Sequence, residues 1–125
     1  NNMDANTGRP DHIEDVLVKL HTGQWFGWSD SKDKVYSNLV IHDDQYSKPS
    51  KASLEAGLVQ AQDDFDWAEV RKKRDMMLSE SDFILMPDYP LEDKSAWESY
   101  RQELRDIPSS FDDVNDVSYP EKPNA

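Results

Sequence analysis

KASLEAGLVQAQDDFDWAEVRKKRDMMLS, residues 51–79, contains no proline. Its apolar residues Leu54, Leu58, Ala61, Phe65 and Ala68 step by four, three, four and three, which is heptad spacing. Ser50, just after Pro49, offers a side-chain oxygen to the first free N–H groups of a helix. The stretch therefore predicts one long helix, about 45 Å if helical throughout. That is longer than one small core needs. Gly57 inside it costs about 1 kcal/mol against alanine. The stripe predicts burial, and the spacing leaves open whether this lies within the domain or between copies of the chain.

Upstream, Ile13, Val16, Leu17 and Leu20 recur at i, i+3, i+4 and i+7 and predict a short helix. Asp11 and Glu14 have the spacing of a capping box, and Gly23 is the expected stop. Trp25-Phe26-Gly27-Trp28 and Val35 to Ile41 flank a polar turn, the pattern of a β-hairpin. A lone hairpin is marginal in water and must pack on something. Trp25 and Trp28 fall on opposite faces of an alternating strand, so one is expected to face a partner. Downstream, Pro87 and Pro90 exclude a helix. Ala96, Trp97, Tyr100 and Leu104 give a second helix one apolar face, starting near Glu92 or Asp93 and ending before Pro108. Residues 109–125 read as an acidic tail, extended or disordered.

The fold class is thus α+β: a short N-terminal helix, a β-hairpin, one long helix, a second shorter helix and an extended acidic C-terminal tail. The organisation reads as a flexible arm at 1–10, a small helix-plus-hairpin module at 11–47, a helical region at 48–108 and the acidic tail at 109–125.

Composition narrows the chemistry. The 125 residues carry 26 acids and 14 bases, a formal charge of -12, which disfavours phosphate backbones and anionic lipid as partners. No run reaches the roughly 20 apolar residues of a membrane span, and nothing marks secretion. Absent cysteine excludes disulfides and thiolate chemistry and fits a reducing compartment. Asp63-Asp64-Phe65-Asp66 and Asp112-Asp113-Val114-Asn115-Asp116 lack the glycine and terminal glutamate of a calcium loop; a solvated charged face accounts for them. His12, His21 and His42 form no ligand or relay spacing. The four glycines lie too far apart to cradle a phosphate. No catalytic residue, cofactor or metal is expected. Arg71-Lys72-Lys73-Arg74 points around most of a helix circumference and makes no single basic patch. The tryptophans Trp25, Trp28, Trp67 and Trp97 are many for this length, and such side chains dominate both binding hot spots and cores. The expected partner interface comprises Trp25, Trp28, Leu54, Leu58, Phe65, Trp67 and Tyr119.

Residues 67–108 carry an ordered set of features: Val70 to Arg74, then Ser81-Asp82-Phe83, Pro87-Asp88-Tyr89-Pro90-Leu91, Ala96-Trp97, Tyr100-Arg101-Gln102 and Leu104 to Pro108. Tyr119-Pro120-Glu121-Lys122-Pro123 follows in the tail. This set resembles the tail assembly chaperone-like family of tailed bacteriophages, with Phe83 where the family often has tryptophan and Ile84-Leu85-Met86 where it is more polar. The resemblance implies a non-enzymatic phage tail or tail-fibre-associated protein, either an assembly chaperone or a virion structural subunit. Its implied partners are phage tail or tail-fibre proteins, or further copies of itself, and its implied location is the virion tail or the host cytoplasm. The competing reading is an acidic mimic of nucleic acid that inhibits a host DNA-binding protein.

Overall fold

The computed structural model describes residues 7–91 and 94–124. Helix α1 spans Ile13–Leu20, strands β1 and β2 span Phe26–Trp28 and Leu39–Ile41, helix α2 spans Lys51–Glu80 and helix α3 spans Lys94–Ser110. Single 3-10 turns lie at Tyr36–Asn38, Asp82–Leu85 and Val114–Asp116. The architecture is mixed α+β and mostly helical. The chain divides into two compact units, Asn1–Phe65 and Asp66–Ala125, so α2 contributes residues to both.

In the first unit, α1 begins one residue later than its sequence suggests. The capping box is His12 with Asp15, not Asp11 with Glu14. His12 Nδ1 accepts from the Glu14 amide at 3.0 Å, and Asp15 Oδ2 accepts from the amides of Asp11 and His12 at 3.0 and 3.1 Å. With Nδ1 accepting, the imidazole proton sits on Nε2, which donates to the Lys34 carbonyl at 2.8 Å. A histidine can cap the helix and reach the hairpin loop at once; an aspartate in that place is too short. The helix ends at Leu20, and Gly23 follows with φ +84, a left-handed turn that favours glycine. Leu17 is fully buried, but Leu20, the last residue of α1, is 48% exposed.

Strands β1 and β2 pair antiparallel with Phe26 opposite Ile41, Gly27 opposite Val40 and Trp28 opposite Leu39. The second strand is shorter than the Val35–Ile41 run predicts. Asn38 pulls residues 36–38 into a turn: its side-chain amide donates to the Asp33 carbonyl at 2.7 Å and its backbone amide to the Val35 carbonyl at 2.9 Å. The hairpin does pack. Leu17, Trp25, Leu39 and Leu54 form one buried cluster drawing on α1, the hairpin and α2. His21 stacks on Tyr46 with ring centroids 3.6 Å apart, and Trp25 meets both rings edge-on. The Tyr36 hydroxyl donates to the Pro49 carbonyl at 2.6 Å, fixing the approach to α2.

The second unit is built around Ile84, Trp97, Tyr100, Leu104 and Ile107. Trp67, Val70, Met77 and Leu78 of α2 pack against this cluster, and they do not continue the 4-3-4-3 steps that end at Ala68. The heptad stripe is therefore not one seam: Leu54 is 1% exposed, Leu58, Ala61 and Phe65 are half-buried, and Ala68 is exposed. The predicted start of α3 at Glu92 or Asp93 lies outside the described residues. Its end differs from expectation, since α3 runs through Pro108 to Ser110. A proline costs a helix the bond to the carbonyl four residues back, here that of Leu104. So close to the end the loss is tolerated: Ile107 is buried, Phe111 packs on the same cluster, and the Ser109 hydroxyl donates to the Asp106 carbonyl at 2.9 Å. The tail is neither free nor featureless, because Val117 and Tyr119 pack on the cluster as well.

Gly57 is where α1 and α2 meet most closely. A β-carbon there would lie 2.9 Å from Val16 Cγ1, and valine is stiff about χ1. Gly57→Ala gains about 1 kcal/mol of helix propensity but overpacks a tight contact, which typically costs 1–3 kcal/mol. We expect a net loss of about 1 kcal/mol in urea unfolding. Adding Val16→Ala should make the double variant more stable than Gly57→Ala alone.

Candidate functional site

The family-like motifs of the second unit converge on one buried cation. Arg101 lies on α3 within the apolar series Trp97, Tyr100, Leu104 and is 9% exposed. Its Nη1 donates to the Leu78 carbonyl and to Ser81 Oγ, both at 2.7 Å, and its Nη2 lies 3.0 Å from Asp82 Oδ1. Ser81, 1% exposed, itself donates to the Leu78 carbonyl at 2.9 Å. Leu78 sits in the last turn of α2, where carbonyls have no partner within the helix. The guanidinium fork donates to that carbonyl, closes the helix and donates a charge-assisted bond to the outer carboxylate. Ser81-Asp82 and Tyr100-Arg101 are therefore two halves of one clamp. The signal was present in the sequence as an arginine inside an apolar helical stripe, four residues after Trp97 and three before Leu104.

Phe83 packs edge-on against Trp97 at 5.1 Å, and Trp97 against Tyr100 at 5.7 Å. The basic run is largely engaged within its own unit. Arg71 lies over the Trp67 ring at 5.9 Å, Lys73 over the Tyr119 ring at 4.3 Å, and Arg74 pairs with Asp75 at 3.0 Å. Tyr119-Pro120 and Lys122 hold the tail down: Pro120 and Lys122 line a cavity of about 150 Å³ with Met77, Glu80, Ser81 and Tyr100. Burial, and then the charge of Glu80, raise the Tyr100 phenol above its ordinary 10.0. Burial also raises Tyr119.

The seven residues read from sequence as a partner interface are not brought together. Trp25 and Leu54, each 1% exposed, are core residues of the first unit and offer no surface, because the hairpin and α1 close over them. Trp28 is half-buried. Its Nε1 donates to Glu14 Oε2, a carboxylate that also pairs with Lys34 at 3.4 Å. Leu58 lines a groove of about 290 Å³ with His12, Lys34, Tyr36 and Lys51. Phe65 lines a groove of about 450 Å³ with Pro10, Val16, Leu20 and Ala61. Trp67 and Tyr119 are half-buried in the second unit. Among the described residues no three His, Asp or Glu side chains are placed to hold a metal ion, and no described helix is long and apolar enough to cross a membrane.

The family model described as phage tail assembly chaperone protein matches residues 67–124. The matched segment takes in the Arg101 clamp and the Tyr119–Pro123 ending, and it is nearly coextensive with the second compact unit, Asp66–Ala125. No curated protein and no solved structure matches the chain.

Two variants test this geometry. Arg101→Met leaves the Leu78 carbonyl without its cationic donor and should cost about 3 kcal/mol in urea unfolding followed by tryptophan fluorescence. Arg101→Lys should recover less than half, because an ammonium cannot fork to three acceptors. Alkaline titration gives a second check. A tyrosine with a raised pKa ionises first in the unfolded chain, so stability is full below about pH 10 and falls as pH rises above it. Glu80→Gln removes one cause of the shift and should move tyrosinate absorbance to lower pH.

Proposed function

We propose that the chain acts in building the tail of a bacteriophage, holding a tail or tail-fibre subunit through protein–protein contacts and catalysing no reaction. The observation that carries this reading is the coincidence of a family match with a folding unit. The match to the tail assembly chaperone family begins at residue 67 and ends at 124, and those residues have their own core, a buried arginine paired with a partly exposed carboxylate, and a docked tail. An assembly factor of this kind works in the host cytoplasm while subunits are being joined, and a structural subunit stays in the virion tail. The candidate contact residues that keep exposed surface are Trp28, Leu58, Phe65, Trp67 and Tyr119, spread over both units. The strong acidity supports the same role, since like charge keeps a sticky protein from associating with its own copies.

Co-expression of the tagged full chain with tail and tail-fibre subunits is expected to yield a stable co-purifying pair. Mass spectrometry of purified particles separates the two roles. Absence or traces of the chain mark a chaperone, and stoichiometric presence marks a virion component. Failure to retain any tail subunit, together with salt-sensitive competition against DNA for a host protein, would overturn the proposal.

A further inference from the structure

The last residues of the chain lie on the second unit as a ligand lies on a receptor. Residues 117–124 form neither helix nor strand. Among the described residues no hydrogen bond or ion pair joins 118–124 to α2 or α3. Side-chain packing holds them instead. Val117 and Tyr119 rest on the core, and the Lys73 ammonium sits over the Tyr119 ring, 4.3 Å from its centroid. Pro120 and Pro123 fix φ and bring no N–H. The segment can therefore lie extended without backbone partners, as proline-rich ligands do in aromatic-lined grooves. Its link to α3 is exposed at Asp112 and Asp113. The 3-10 turn at Val114–Asp116 closes on itself, with the Asp116 and Val117 amides donating to the Asp113 and Val114 carbonyls at 3.0 and 3.3 Å.

The segment does not fill the space it occupies. A cleft of about 210 Å³ separates Tyr119 and Pro120 from parts of Ile107 and Phe111. A second, of about 150 Å³, lies between Pro120 and Lys122 on one side and Met77 and Tyr100 on the other. Protein interiors leave few such voids, so a segment flanked by two clefts is loosely fitted, and loosely held segments open at low free-energy cost. The helices' side of the groove has three features. It has an apolar wall, a cation in Lys73 for the face of an aromatic ring, and carboxylates for a cation: Glu80 lines the cleft that Lys122 shares, and Glu103 lines the other.

We propose that α2 and α3 form a segment-binding groove which residues 117–122 plug in cis, and that a partner's exposed segment carrying an aromatic ring, a proline and a lysine displaces them. This rests on the reading above that the chain binds tail proteins, and it names the groove, its self-occupant and the chemistry of the incoming segment. The plug keeps the apolar wall covered until a partner arrives. It also sets a threshold. A tethered segment competes at an effective concentration on the order of millimolar, so the incoming segment must fill the clefts better than the tail does. A second copy offers the same segment, but each chain carries -12, and like charge opposes that exchange.

The test keeps the chain whole while it folds. A specific protease site is inserted between the exposed Asp112 and Asp113, where insertion is tolerated, and the folded protein is then cut, which turns the tail into a separate peptide. On gel filtration of dilute protein the tail should leave while circular dichroism keeps its helical signal. Met77 lines the cleft beside Pro120 and Lys122, and Met76 is 57% exposed. After the cut, oxidation of Met77 read by mass spectrometry should speed up several-fold, and that of Met76 should not change. Tyr119→Ala in the chain without the insertion should move Met77 the same way. A labelled peptide of residues 114–124 should bind the cut chain about tenfold or more tighter than the uncut one, and the same peptide with Tyr119→Ala should bind neither. Loss of helix on cutting, a tail that stays bound through dilution, unchanged Met77 oxidation, or equal peptide binding by cut and uncut chain would overturn the proposal. So would a dimer of the uncut chain in sedimentation that the cut abolishes, since the occupant would then be a second copy. Tail subunits should be retained more strongly by the cut chain than by the uncut one. If both retain them equally, this groove is wrong and the function stands. If neither retains them while the peptide result holds, the function is wrong and the groove stands.

Discussion

A guanidinium buried where α2 ends organises the second unit. Arg101 gives the Leu78 carbonyl a cationic donor at 2.7 Å, beside the Ser81 hydroxyl at 2.9 Å and the Ser81 amide at 3.1 Å. What would be lost without it is the charge-assisted bond, and Ser81 Oγ and Asp82 would lose their cationic partner as well. The arginine lets α2 stop at Glu80 beside the core instead of in solvent, and the chain can then fold back through Phe83 and Ile84 onto Trp97. Every later feature of the unit follows from that turn: the outward loop at 85–90, the course of α3 and the bed on which Tyr119 lies. The Asp82 carboxylate remains 58% exposed, so the pair is desolvated on one side only, which limits the cost of burying the charge.

The elements were legible in the sequence because each announces itself locally. Proline-free length marked α2, apolar spacing marked α1 and α3, and aromatic runs about a polar turn marked the hairpin. What was hidden depends on distant residues. Nothing near Asp11 says that His12 will cap α1, because the reason is the Lys34 carbonyl 22 residues away. The proline rule stops α3 at Ile107, yet packing of Ile107 and Phe111 carries the helix past Pro108. The heptad spacing is present, but of its residues only Leu54 enters a core, and α2 meets the second core through Trp67, Val70, Met77 and Leu78, off that spacing. For the candidate contact residues, burial was not legible from residue type. Trp25 and Leu54 vanish into a core that only the fold reveals, while Leu85 and Met86, which look like core from their neighbours, lie outside it.

The two units differ in what they imply. The family match covers residues 67–124, nearly all of the second unit, and does not reach the first. In the first unit polar groups hold the structure together locally. His12, Glu14, Asp15 and Lys34 tie α1 to the hairpin through the box, the indole of Trp28 and the loop carbonyl. Such a set gives a small module a defined shape that a core of four buried apolar residues alone would leave loose. The grooves at Leu58 and Phe65 belong to this first unit.

Strong acidity and outward apolar side chains would be contradictory in a protein meant to stay alone, but they fit one that binds and lets go. Apolar area supplies attraction that does not depend on orientation. Charge supplies both the repulsion that prevents self-association and the long-range steering that favours a basic partner. A factor covering a subunit surface during assembly must bind tightly enough to prevent aggregation and weakly enough to be displaced by the next subunit.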